Sequence, residues 1–130
     1  MEHSTRQLKF TAYGGAQTVT GANFLLETPS GKKILLDCGL VQGARVCEPQ
    51  NRASFPYDPA SIDILLVSHP HLDHTGRIPK LVRDGFKGTV FATPPTKDLA
   101  ELMLIDSLGV LEKEAKREHT EPFFSEIDIT

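Results

Sequence analysis

The feature that most constrains the fold is a short apolar run that ends in a cluster of histidines. The run is IDILLV, residues 62–67, and SHPHLDHTG follows it directly. A continuous apolar segment of this length between polar residues is typical of a β-strand that is buried on both faces. We therefore predict a central strand whose C-terminal end carries the polar cluster, which is where α/β proteins usually bind ligands.

The cluster has the composition of a metal site. Three histidines and one aspartate, namely His69, His71, Asp73 and His74, fall within six consecutive positions, although the whole chain has only five histidines. Imidazole nitrogen and carboxylate oxygen both bind zinc-like ions. In extended backbone His69 and His71 point to the same side and can chelate one ion. Asp73 and His74 follow where the chain turns toward a helix, so we expect them to reach a second ion. Solvated surface histidines in a polar turn are the alternative interpretation.

A second candidate carboxylate, Asp37, directly follows the apolar segment ILL. An aspartate at a strand end can accept the second ring N–H of a metal-bound histidine and so fix its tautomer. The other interpretation is a turn-forming aspartate before Cys38 and Gly39. The two cysteines, Cys38 and Cys47, have neither CxxC nor Cys/His ligand spacing. They therefore do not predict a zinc ribbon.

Alternation of apolar and polar residues predicts strands in the first third of the chain. The segments 8–12, 24–28 and 34–37 are separated by turn residues and predict an antiparallel meander of three short strands. Residues 39–61 carry Pro and Gly without a sustained period, which predicts a long loop. Loops of that length inside a compact domain are usually functional or disordered.

The second half of the chain predicts alternating helices and strands. A short helix is expected to begin near Arg77 or Ile78, because Pro79 is tolerated only in a first helical turn. Residues 89–93, TVFAT, predict another buried strand. A longer helix, capped by Thr96 and continuing to about Lys116, carries a broad apolar face of the kind that packs on a sheet. The predicted fold class is α/β (α+β).

Composition excludes some functions and sets a default location. Of 130 residues, 39% are hydrophobic and 24% are charged, as in an average globular domain. No apolar run approaches the roughly 18 residues that a membrane span needs, and the N-terminus lacks the apolar region of a signal peptide. With two cysteines and no disulfide framework, we expect a cytoplasmic protein. A net charge of -3 gives no basic surface, so evidence for a nucleic-acid partner must come from the site.

The motifs are specific enough to resemble a known family. SHPHLDH resembles the HxHxDH signature of the metallo-β-lactamase superfamily, and ILLDCG resembles its first motif. The segments GGAQTVTGANFLLET, ILLDCGLVQG and HPHLDHTGRIPKLVRDGFKGTVFATPPTKDLAELMLIDS are similar to the N-terminal part of the β-CASP branch, which contains RNA-processing nucleases. The resemblance runs from about Leu8 to the end of the chain. It implies an αββα sandwich, of which this chain supplies roughly the first half.

The resemblance also implies roles for individual residues. His69 and His71 would bind a first zinc ion, with Mn²⁺ as a substitute, and Asp73 and His74 would bind a second. Asp73 would also lie close to the attacking water, and Asp37 would orient the histidine loop. The implied activity is a phosphodiesterase that cleaves RNA with a water activated by two metal ions. Alternatives are another hydrolase of the fold, acting on a thioester, lactone or β-lactam, and a non-catalytic metal-binding or interaction module.

The family's remaining ligands are a further histidine, a bridging aspartate and later histidines, normally C-terminal of the last helix seen here. No residue after His119 supplies the histidines, and Asp128 alone is a poor bridge. We therefore expect residues 1–130 to be the N-terminal part of a metallo-β-lactamase domain without its remainder and CASP insertion. The apolar sheet of such a half is expected to bind the missing half or to self-associate.

Overall fold

The computed structural model describes residues 7–43, 46 and 48–130, and these form a mixed α/β fold, as predicted. Five strands make one sheet in the order in which they occur in the chain. Their bounds are β1 Lys9–Gly14, β2 Asn23–Glu27, β3 Lys33–Leu36, β4 Ile64–Leu66 and β5 Thr89–Phe91. The helices are α1 Pro49–Arg52, α2 Leu72–Thr75, α3 Ile78–Arg83 and α4 Pro94–Glu118, and short 3₁₀ helices cover Pro59–Ser61 and Glu126–Asp128.

The strand directions bring the candidate site together. Strands β1, β2 and β3 pair antiparallel, which confirms the predicted meander. Strands β3, β4 and β5 pair parallel, with Leu36 opposite Leu66. Because the carboxyl ends of parallel strands meet at one edge of a sheet, Asp37 and the histidine segment leave β3 and β4 side by side. The backbone N–H of Asp37 donates to the carbonyl of Leu66 at 2.9 Å, which fixes this juxtaposition.

One face of the sheet forms the main core. Leu25, Leu35 and Leu65 occupy adjacent positions in register on β2, β3 and β4 and are at most 2% exposed. Leu81 of α3 and Phe86 belong to the same buried cluster. Full burial of an aliphatic side chain stabilises a fold by about 1.5–3 kcal/mol, so this row anchors the sheet beneath α3. Helix α3 begins at Ile78, as the sequence predicts.

The exposures of β4 and β5 correct two predictions, partly on the face opposite the main core. Strand β4 is not buried on both faces, because Leu66 is 38% exposed. Strand β5 was predicted to be buried and is exposed along its length, with Val90 at 45% and Phe91 at 53%. Phe91, Leu66 and Leu36 are neighbours in register on this open face. An apolar pattern indicates that a strand tends to be buried. It does not indicate whether the described residues include the segment that packs over that strand.

The described part of the predicted loop, residues 39–43, 46 and 48–61, is mostly irregular but contains the single turn α1 and the 3₁₀ helix Pro59–Ser61. Asn51 is fully buried and holds this loop together through side-chain hydrogen bonds. Its amide oxygen accepts from the N–H of Val41 at 2.7 Å, and its amide nitrogen donates to the carbonyls of Val41 and Val46. A buried amide with all these bonds stabilises one loop conformation, because breaking any of them leaves a buried polar group unpaired.

The long helix begins earlier than predicted. Its cap is Thr93 and not Thr96, because the hydroxyl oxygen of Thr93 accepts from the N–H of Thr96. Pro94 and Pro95 therefore start the helix instead of preceding it. The physical reason is that first-turn N–H groups have no partner within the helix, so prolines cost nothing there.

Helix α4 buries only part of its apolar surface. Leu108 and Leu111 pack in a second core cluster with Phe124, whereas Leu99 and Leu102 are 50% and 65% exposed. The predicted packing against the rest of the domain is therefore partial: Thr96 and Leu104 are buried in the first half of the helix, and most of the buried residues lie in the second half. No helix within the described ranges is both long and apolar enough to cross a bilayer.

Candidate metal centre

The histidine segment connects β4 to α2, and its backbone changes direction within the motif. His71 is the N-cap of α2 and is still extended, with φ of -61° and ψ of 145°, whereas Asp73 and His74 lie in the helical turn. The side chains of His69, His71 and Asp73 nevertheless converge. One donor atom from each lies within 4.8 Å of the others, and His71 is the most exposed of the three.

This set of donors fits a transition-metal ion. Two nitrogens and one carboxylate oxygen form the donor set of many zinc sites. Ligands of one zinc ion at about 2.1 Å each are at most about 4.2 Å apart. The observed limit of 4.8 Å is therefore close to a ligating arrangement, and small side-chain rotations would complete it.

His74 completes the predicted group of four ligand candidates. Its ring centroid lies 3.9 Å from that of His69, and its Nε2 lies 3.4 Å from Oδ2 of Asp73. The Asp73 carboxylate thus adjoins both the pair formed by His69 and His71 and the single ring of His74. Asp73 could therefore share a metal ion with either set of rings.

Asp37 is the buried hub behind these rings, with 6% of its surface exposed. Its Oδ2 lies 2.7 Å from Nδ1 of His74 and accepts from the hydroxyl of Ser68 at 2.6 Å. Its Oδ1 accepts from the backbone N–H of Ser68 at 2.8 Å. A strand-end carboxylate therefore holds a histidine ring, which is the contact that the outer-shell interpretation of Asp37 requires.

These bonds fix the tautomers of two histidines. An ionised carboxylate only accepts hydrogen bonds, so the hydroxyl proton of Ser68 points to Asp37. The oxygen of Ser68 then accepts from Nδ1 of His69, 3.0 Å away, and Asp37 accepts from Nδ1 of His74. In the neutral form of both rings Nδ1 then carries the proton, which leaves the lone pair of Nε2 for a metal ion.

Backbone contacts press the Asp37 segment against the motif. The N–H of Cys38 donates to the carbonyl of His74, and the N–H of Ala22 donates to that of Asp73, both at 2.9 Å. Gly39 lies where these segments are closest. A Cβ atom at position 39 would be 1.7 Å from the carbonyl oxygen of Asp73, so only glycine fits there.

Gly39→Ala is therefore expected to lower the free energy of unfolding by about 3 kcal/mol, because backbone must move against backbone. The matched control is Gly109→Ala in α4, where an added Cβ would meet nothing within 4 Å. That change is expected to raise stability by up to about 1 kcal/mol, because alanine is the better helix former. Urea unfolding followed by circular dichroism measures both variants. Equal stabilities of the two variants would contradict the close approach.

Cys38 follows Asp37 but cannot serve as a ligand. Its side chain is fully buried in the main core cluster. Burial raises the pKa of the Cys38 thiol to about 12, partly opposed by the charges of Arg77 and Lys80. The thiol therefore stays neutral near pH 7, and only the thiolate binds metal well. Cys47 lies outside the described residues.

Sequence reasoning found the four ligand candidates and Asp37 but missed their supports. Ser68 has a usable signal, because a hydroxyl directly before the first histidine of the motif can bond to a neighbouring ring. Gly39 could have been found only as a glycine after a strand end. Asn23 contacts the Asp37 backbone directly, and Tyr57 contacts it through Asn23. Nothing in the sequence around either residue indicates this role.

The structure is an α/β domain with a mixed sheet. Histidine and carboxylate side chains gather at the ends of two adjacent parallel strands, where they form a candidate metal site. The family model described as "Metallo-beta-lactamase superfamily" matches residues 18–95. The chain belongs to this superfamily. The matched range contains both Asp37 and the whole of the HxHxDH motif.

Comparisons with individual proteins show which kinds of member of the superfamily this chain is similar to. Over 122 residues the chain is 42% identical to Ribonuclease TTHA0252 of Thermus thermophilus, covering 94% of this chain and 26% of that protein. It is 39% identical to the Transcription termination factor FttA of Methanosarcina mazei, covering 85% of this chain and 17% of the relative. It is 37% identical to the Endoribonuclease YSH1 of Kluyveromyces lactis, covering 79% of this chain and 13% of that protein. The predicted resemblance to the β-CASP branch is confirmed. The chain spans about a quarter or less of the length of these relatives.

Proposed function

We propose that the protein is a metal-dependent hydrolase that cleaves phosphodiester bonds in RNA. The observation that carries the proposal is the convergence of His69, His71 and Asp73 beside a His74 ring that Asp37 holds. Two of the relatives are named a ribonuclease and an endoribonuclease, which supports RNA as the substrate class. The net charge of -3 does not oppose this, because bound metal ions and further chain can supply positive charge.

We propose zinc as the metal, with Mn²⁺ as a substitute, and two ions in the complete site. His69 and His71 would hold the first ion, and Asp73 and His74 the second. Imidazole nitrogen favours zinc over the hard ions Mg²⁺ and Ca²⁺. When bound, zinc supplies Lewis acidity and lowers the pKa of water toward neutrality.

The side chains themselves would bind the metal ions, orient one another and position the attacking water. With Nδ1 of His69 and His74 held by hydrogen bonds, Nε2 of each ring is the atom available to a metal ion, and only small rotations of the side chains would precede ligation. The side chain of Asp73 is 20% exposed, so its carboxylate can contact both the ligands and an entering water. We assign Asp73 the further role of accepting a hydrogen bond from the attacking water. Asp37 contacts no substrate in this scheme and acts through His74 and Ser68.

We propose that residues 1–130 form the N-terminal part of a metallo-β-lactamase domain, and that the remaining ligands come from further chain. The share of the relatives that this chain covers supports this. The open sheet face around Leu66 and Phe91 is then covered by that further chain, and self-association is the alternative when it is absent. The buried neutral thiol of Cys38 is consistent with the cytoplasm as the location.

The proposal is tested by incubating labelled single-stranded RNA with the full-length parent protein and with residues 1–130, each supplied with Zn²⁺ or Mn²⁺. We expect the parent to cleave RNA and the shorter chain to cleave it negligibly, because part of the site would be missing. Thioester, lactone and β-lactam substrates are assayed in parallel. Cleavage of one of these without RNA cleavage would replace the proposed substrate, and a parent that binds no metal would favour the non-catalytic module.

A further inference from the structure

We infer that Asn23 and Tyr57 are positioning residues that hold the backbone of Asp37 in the conformation that aims its carboxylate at Ser68 and His74. The inference rests on the proposed function, since it assigns these two residues a part in preparing the metal site. Neither residue contacts a ligand candidate directly. Both would act through Asp37.

Asp37 has an unusual backbone that needs support. Its φ is 58°, in the left-handed region that non-glycine residues rarely adopt. Continuing the extended backbone of β3 through Asp37 would point its side chain to a different side, because successive strand residues alternate. The left-handed conformation therefore directs the carboxylate toward the histidine segment. Such backbone persists only when surrounding contacts determine it.

Asn23 supplies one of these contacts from the first position of β2. Its side-chain Nδ2 donates to the carbonyl oxygen of Asp37 at 3.0 Å, and the residue is fully buried. Because a carbonyl only accepts, the amide orientation is determined, and Oδ1 must face the other way. There it accepts from the hydroxyl of Tyr57 at 2.8 Å. A chain of two hydrogen bonds thus runs from Tyr57 to the Asp37 backbone.

Tyr57 is itself held firmly. Its ring packs against Tyr13 and Phe55 with centroids 5.2 Å and 5.4 Å apart, and Phe55 lies under the charged groups of Arg77 and Lys80. Burial raises the pKa of the Tyr57 hydroxyl, so it remains a donor across the physiological range. The hydroxyl donates to Asn23 and also lies beside the thiol of Cys38, so phenylalanine would keep the ring but lose both contacts.

The test compares Tyr57→Phe with Tyr13→Phe, which removes a phenol oxygen from the same aromatic cluster but not from the chain of hydrogen bonds. Backbone chemical shifts of Asp37 and side-chain ¹⁵N shifts of His74 are recorded without metal, and Zn²⁺ affinity is measured by calorimetry. Urea unfolding checks that each variant folds. We expect Tyr57→Phe to shift the Asp37 and His74 signals and to weaken zinc binding roughly three- to tenfold, the effect of one hydrogen bond. Tyr13→Phe is expected to change neither.

Asp37→Asn provides a second background. If Tyr57 acts through Asp37, adding Tyr57→Phe to Asp37→Asn should weaken zinc binding by less than about twofold more. Full additivity, or unchanged Asp37 and His74 signals in a folded Tyr57→Phe variant, would overturn the inference. Absence of zinc binding in the unmodified protein would instead overturn the proposed function, and the metal-free spectra would still decide the role of Tyr57.

Discussion

Asp73→Ala is expected to reduce RNA cleavage by the full-length protein by at least roughly 10²- to 10³-fold, the cost of removing one element of preorganised charge. The carboxylate of Asp73 lies 3.4 Å from His74 Nε2 and within the same cluster as His69 and His71. In the proposed scheme alanine removes a metal ligand and a water-orienting group together, while the backbone contacts of position 73 remain. We therefore expect a folded protein without activity.

The experiment uses labelled single-stranded RNA with the parent and the variant at equal concentration. Asp106→Ala is the matched control, because it removes an exposed aspartate of α4. Bound metal is measured by mass spectrometry before the assay, so that loss of an ion is distinguished from loss of chemistry with the ions retained. An Asp73→Ala protein that cleaves RNA at the parental rate would exclude this residue from the site.

The sequence predicted those parts of the site that depend on local order. His69, His71, Asp73 and His74 lie within six positions, so any turn that follows a strand brings them near one another. Asp37 could be predicted as well, because it ends a strand and strand ends collect ligands in α/β folds. The position of the histidine segment beside Asp37 became known only from the strand register, which pairs Leu36 with Leu66.

The parts that escaped prediction depend on distant contacts. Gly39 is required by the carbonyl of Asp73, 34 positions later in the chain, and the Tyr57 hydroxyl meets an amide of β2. The exposure of β5 was not predicted from the sequence for a different reason. Val90 and Phe91 have the residue types of a buried strand, but burial is a property of what packs over the strand.

Asp37→Asn is expected to weaken zinc binding by roughly 10- to 100-fold while the fold stays intact. Asparagine has the same size, and it tolerates the left-handed backbone that position 37 adopts, so the structural cost is small. The change removes the charge and replaces one carboxylate oxygen with a donor. Calorimetry with Zn²⁺ measures the effect, and Asp58→Asn, at an exposed 3₁₀ cap, is the control.

The size of this effect follows from the number of donors that converge on Asp37. One oxygen accepts from the N–H of Ser68, and the other faces both the hydroxyl of Ser68 and Nδ1 of His74. An asparagine amide placed either way opposes at least one donor. The N–H of Ser68 cannot reverse, so the amide nitrogen is expected to face His74, whose Nδ1 then becomes the acceptor. The proton of that ring moves to Nε2 and blocks the atom that would bind metal. Side-chain ¹⁵N shifts of His74 will show this exchange of tautomer, and a variant with unchanged tautomer and unchanged zinc affinity would leave Asp37 as a turn residue only.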